Sequence, residues 1–82
     1  MNKVPRDTGG QELIKALSKF GYVPVRQTGS HVRLKNEIKG YSHVITIPLH
    51  NPIKIGTLNN ILNDVASYVG LDKGKLIREL FK

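Results

Sequence analysis

Apolar residues recur along the chain at two spacings, and each change of period marks a new element. In QELIKALSKF, residues 11–20, Leu13, Ile14, Leu17 and Phe20 fall on one face of a helix, with Thr8 or Gly9 available to open it and Gly21 to stop it. YVPVRQ then alternates, with Val23 and Val25 facing one way and Tyr22, Pro24 and Arg26 the other. Pro24 cannot donate to a ladder, so this strand belongs at a sheet edge. The turn QTGS has a glycine free to take positive φ. HVRLK, residues 31–35, alternates without proline or glycine and can be central, whereas HVITIPLH, residues 43–50, is closed by Pro48 and makes the other edge. TLNNILNDVASYV, residues 57–69, returns to the helical period through Leu58, Ile61, Leu62, Val65 and Val69, and Gly70 stops it. A last short helix, capped by Asp72, carries Leu76, Ile77 and Leu80 on one stripe with Phe81 beside it.

The predicted order α-β-β-β-α-α defines an α+β fold, a three-stranded antiparallel meander in the order 1-2-3 with both main helices on one face. Strand parity then divides the side chains. If Val23, Val25, Val32, Leu34, Ile45 and Ile47 enter the core, Arg26, His31, Arg33, Lys35, Thr46 and His50 point away from the helices, and His43 falls with the core-facing set. The open face is therefore basic and holds two of the three histidines.

Charge gives that face a meaning. The 82 residues predict one domain spanning 1–82, since so short a chain builds only one core. Thirteen Lys and Arg against six Asp and Glu leave a formal charge of +7, which favours a polyanion as partner; bound phosphates would release counterions, so binding would weaken as salt rises. The same excess could serve solubility or an acidic protein partner. The absence of cysteine removes disulfides, thiol nucleophiles and cysteine-ligated zinc. No apolar run reaches the ~18–20 residues of a membrane span. The start, MNKVPRDTGG, lacks the apolar segment of a secretory signal, so a cytoplasmic location is expected.

His31 can take or give a proton near neutral pH. On RNA the proton to move is that of the ribose 2′-hydroxyl, while Arg33, Lys35 and Arg26 would hold the phosphate and its developing charge. His50, also outward, could supply the second proton of an acid–base pair, or be a loop histidine only. Gly29 shapes the turn; Ser30 either hydrogen-bonds within it or offers a hydroxyl or N–H to a phosphate. A Ser30–His31 hydrolase pair is rejected, because adjacent strand residues face opposite ways and no GxSxG elbow is present. His31, His43 and His50 match no metal-ligand spacing, so no metal is expected. In KIGTL, Lys54, Gly56 and Thr57 open a helix and could hold an anion, or Gly56 and Thr57 could simply cap it.

LIKALSKFGYVPVRQTGSHVRLK followed by VITIPLHNPIKIGTLNNIL resembles the HicA, or YcfA-like, family of toxin ribonucleases over roughly residues 9 to 80. The specific pieces are Gly29-Ser30-His31 and the set Pro48, His50, Gly56, Thr57 and Leu58 in this order and separation. The resemblance implies a fold similar to double-stranded RNA-binding domains and metal-independent cleavage of mRNA by the toxin of a type II toxin–antitoxin system. It makes His31 the catalytic residue. It also implies a HicB-type antitoxin as protein partner, mRNA as nucleic-acid partner, no cofactor and no membrane. The readings that compete with it are a non-catalytic RNA-binding module of the same fold and an interaction domain whose basic face binds an acidic protein.

Overall fold

The computed structural model describes residue 5 and residues 7–82. The secretory-signal reading of the first ten residues thus falls largely on positions 1–4 and 6, which lie outside the described residues.

Helix α1 covers Gly10–Leu17 and tightens into a 3₁₀ turn over Ser18–Phe20, stopping at Gly21 with φ +99°. The change of helix type comes where the Ser18 hydroxyl donates to the Lys15 carbonyl at 2.6 Å, a side-chain bond that competes with the backbone ladder. At its other end α1 presses on the sheet. The Gly10 amide donates to the His50 carbonyl at 3.0 Å, and a Cβ at position 10 would lie 2.2 Å from the Pro48 carbonyl oxygen. Only glycine allows that approach.

The strands β1 (Val23–Thr28), β2 (His31–Asn36) and β3 (His43–Pro48) form one antiparallel sheet in the order β1-β2-β3, as the pattern predicts. Strands β2 and β3 pair without interruption from His31↔Pro48 to Asn36↔His43. The β1–β2 ladder slips between Pro24↔Leu34 and Arg26↔Arg33, leaving Val25 as an unpaired extra residue, a β-bulge.

That bulge corrects the expectation for β1. Val23 and Val25 are 55% and 51% exposed and do not enter the core. The bulge puts Val23 opposite Lys35, on the open face, and α1 and α2 (Ile55–Val69) make their main sheet contacts with β3. Tyr22, expected to face outward, is fully buried. Its amide still bonds the Leu17 carbonyl, so the chain has not yet entered the strand and strand parity does not govern it.

Helix α2 begins two residues earlier than its apolar period indicates, with Lys54 at the N-cap and no side-chain cap, so Gly56 and Thr57 sit in its first turn and do not cap it. Helix α3 (Lys73–Leu80) is capped as expected: Asp72 accepts from the Lys75 amide at 3.0 Å. The core joins Leu13 and Leu17 of α1, Val32 and Leu34 of β2, Ile45 and Ile47 of β3, Leu58, Leu62 and Val65 of α2, and Leu76 and Leu80 of α3. Truncating one of these leucines to alanine would cost about 2–5 kcal/mol. Among the described residues no helix is long and apolar enough to cross a membrane.

Candidate active site

The site grows out of the tightest turn in the sheet. Thr28 pairs with His31, leaving Gly29 and Ser30 as a two-residue hairpin loop. Gly29 has φ +58° and no described non-glycine residue has positive φ, the pattern of a type II′ turn with glycine first. The Gln27 side-chain amide donates to the Gly29 carbonyl at 3.1 Å. The Ser30 carbonyl, in turn, accepts from the Leu49 amide at 2.6 Å, which clips the loop to the chain leaving β3. These bonds bring His31 beside His50, with ring centroids 6.3 Å apart and planes at 69°.

Two cavities meet at His31. The first, about 250 Å³, is lined by Arg26, Thr28, His31, Arg33 and Thr46, all from the open face of the sheet. The second, about 310 Å³, lies between the end of β3 and the start of α2. Its polar lining is His31, Thr46, His50, Lys54 and Thr57, and Pro48 and Ile53 give it an apolar wall. His31 and Thr46 belong to both.

The first cavity is held against electrostatics. Arg26 stands directly opposite Arg33 in the ladder, and like charges in that relation destabilise a sheet. Among the described residues the only ion pairs are Lys35–Glu37 at 3.8 Å and Glu79–Lys82 at 3.2 Å, so neither arginine nor Lys54 has a carboxylate for company. An anion between the arginines would turn that repulsion into attraction.

The expected site residues separate accordingly. Arg26, His31, Arg33, His50 and Lys54 come together around the two cavities. Lys35 lines neither; it shares the outward face but leans on Glu37. Gly29 is exposed, with nothing within 4 Å of an added Cβ, so its part is the shape of the turn. Ser30 is exposed and contributes its carbonyl to the clip onto Leu49.

A family model described as the HicA toxin of bacterial toxin–antitoxin systems matches residues 10–66. The chain belongs to the HicA toxin family. The match begins with the first residue of α1 and ends inside α2, so it contains every residue lining the two cavities, while α3 lies beyond it. No curated protein and no solved structure matches the chain. As a HicA toxin it is one half of a toxin–antitoxin system, and a cognate antitoxin is its partner.

The third histidine of this HicA toxin lies elsewhere. His43, half-buried at the far end of the sheet, has Nδ1 2.7 Å from the Tyr22 hydroxyl and stacks on Tyr68 at 4.8 Å and 14°. The Tyr68 hydroxyl donates to the Tyr41 carbonyl at 2.6 Å, lies 3.2 Å from that of Asn36, and accepts the Lys39 amide at 3.1 Å. Asn36, itself buried, donates to the Phe20 carbonyl at 2.8 Å and accepts from the Ile38 amide at 2.9 Å. Burial, with Tyr68 nearby as a lesser cause, pushes the Tyr22 phenol well above its ordinary value. Among the described residues no group of three or more His, Asp or Glu stands close enough to hold a metal ion.

Several lining residues escape a sequence reading. Thr28 shares the open face with His31, but an assumed unbroken alternation in β1 hides it behind the bulge. Ile53 and Thr57 reach the site only through the irregular segment 49–54, whose path no periodicity specifies.

Proposed function

We propose that this toxin is an endoribonuclease that cleaves mRNA with His31 as the central proton-transfer residue, and thereby inhibits translation. The observation that carries the reading is that His31 lies on the shared rim of both cavities, with His50 on one side and the Arg26–Arg33 pair on the other. HicA toxins are ribonucleases, which supports the class of reaction.

In the proposed step His31 takes the proton of a ribose 2′-hydroxyl as that oxygen attacks the adjacent phosphorus. The P–O5′ bond breaks, and His50 returns a proton to the departing 5′ oxygen. The products are a 2′,3′-cyclic phosphate and a 5′-hydroxyl. Arg33 and Arg26 face the non-bridging oxygens, where negative charge grows in the transition state, and Lys54 and Lys35 add to the attraction of the backbone. The Gly29-Ser30 turn carries His31 to the edge of the face, where a flexible single strand has access. The step needs no metal and no cofactor. Its setting is the cytoplasm, one domain acts alone on mRNA, and a HicB-type antitoxin restrains it.

The test is to incubate the folded protein with RNA in the presence of a chelator, compare wild type with His31→Ala, and identify the product ends. Cleavage leaving 2′,3′-cyclic phosphate by wild type, with RNA binding but no cleavage by His31→Ala, is the expected result. Binding without cleavage by wild type would leave a non-catalytic RNA-binding module. No binding, or binding indifferent to salt, would leave a face built for an acidic protein.

A further inference from the structure

The two cavities that share His31 differ in chemistry. The one toward β1 has a lining of two arginines, two threonines and His31, without an apolar side chain. Such a lining suits a phosphate and offers nothing for a base to stack on. The one toward α2 has Pro48 and Ile53 as a wall, a single cation, Lys54, at its margin, and the Thr57 hydroxyl beside them. Apolar walls with a few placed polar groups are what select a small organic ligand, and its volume of about 310 Å³ stands at the low end of the range for ligand sites, about 300–1,000 Å³. The Thr57 hydroxyl makes no hydrogen bond to another described residue, so it is available to read a base edge.

Resting on the ribonuclease reading, with His50 delivering the proton to the leaving 5′ oxygen, we infer that the cavity between β3 and α2 seats the nucleotide immediately 3′ of the cut and selects its base through Thr57 and the Pro48–Ile53 wall. His50 lies in this cavity and not in the other, which places the leaving nucleotide there. The Arg26–Arg33 cavity then holds the non-bridging oxygens of the scissile phosphate from the 5′ side without reading sequence. Thr46, on the rim of both, is a positioning residue for the scissile phosphate. Phosphate contacts fix register and base contacts specify, and here the two tasks fall on opposite sides of one histidine.

Sequencing of both product ends from a random-sequence RNA pool, for wild type, Thr57→Val and Arg26→Gln, tests the assignment. Wild type should show its strongest preference at the first nucleotide after the cut. Thr57→Val should alter that preference severalfold and leave the nucleotide before the cut unselected. Arg26→Gln should slow cleavage of all sequences alike and lessen the salt dependence of RNA binding, by about 0.7 in the log–log slope for one lost single-strand phosphate contact. A preference located before the cut, or one that Arg26→Gln changes and Thr57→Val does not, would overturn the inference while the ribonuclease reading stands. A wild-type protein that cleaves nothing would remove both.

Discussion

His31 and His43 each open a strand, and each is followed by valine, yet the two dipeptides meet opposite fates. In β2 the histidine faces out between two cavities and Val32 is buried; in β3 the histidine turns inward and Val44 is left 48% exposed. Because β2 and β3 run antiparallel, the two histidines also stand at opposite ends of the sheet. His43 has one ring nitrogen committed to Tyr22 and one ring face to Tyr68, a set of contacts that holds the 37–42 connection against α2. Among the described residues His31 makes a ring contact with His50 alone and no side-chain hydrogen bond. Identical side chains thus take on structure at one end and, in the proposed reading, chemistry at the other, according to whether neighbours have used up their polar capacity.

The most direct way to break this contrast is to remove each ring. His31→Ala should lower RNA cleavage about 10³-fold, within the usual range for a positioned acid or base, with the melting temperature nearly unchanged. His43→Ala should do the reverse, keeping the rate per folded molecule while stability drops by about 1–3 kcal/mol, because the buried Tyr22 hydroxyl loses its partner. Calorimetry beside a cleavage assay decides it. Equal loss of activity in the two folded variants would erase the distinction.

Gly10→Ala probes what holds the chemical end together. A Cβ 2.2 Å from the Pro48 carbonyl forces α1 away from β3 and loosens the Gly10–His50 bond, an overpacking cost of about 1–3 kcal/mol. Urea denaturation should show that loss, and cleavage should fall along with it because His50 shifts.

The structural end has its own pH signature. Tyr22 keeps its proton more tightly folded than unfolded, so its contribution is fully present below the ordinary tyrosine value of 10.0 and is lost as pH rises beyond it. Above that value the unfolded chain sheds the proton first, and this group alone makes stability fall by about 1.4 kcal/mol per pH unit. Urea midpoints from pH 7 to 11 should therefore decline less steeply at the alkaline end for Tyr22→Phe than for wild type; parallel profiles would show that Tyr22 is not the group responsible.

The smallest effect concerns the arginine pair. Arg33→Gln removes a like-charge opposition and should raise the stability of the free protein by about 0.2–1 kcal/mol, while weakening RNA binding. A variant both less stable and unaltered in binding would mean the pair is not kept for an anion.

Much of the architecture was legible because each period has a direct geometric meaning. The helical stripes of α1, α2 and α3 and the alternation of β2 and β3 bury most of the residues they predict, with Ile14, Phe20 and Val69 packed against the core but only partly buried. The alternation of β1 misled, since one extra residue, Val25, shifts every side chain before it to the other face. For the site, the same alternation correctly grouped His31, Arg33 and Thr46. Nothing in the spacing separated Lys35 from them, although Glu37, two residues on, captures it.

By itself the sequence determined the order of elements, the basic open face and the turn that presents His31, because these depend on local periodicity, on glycine's freedom at φ +58° and on residue charge. Only the tertiary structure decided that His50 comes within 6.3 Å of His31, that Ile53 and Thr57 wall the second cavity, and that His43 is tied to Tyr22 and Tyr68. Those contacts join residues 19 to 26 positions apart through an irregular loop and the packing of helices on the sheet. No repeat along the chain encodes them, because they arise where separate elements, each locally specified, are forced to share one core.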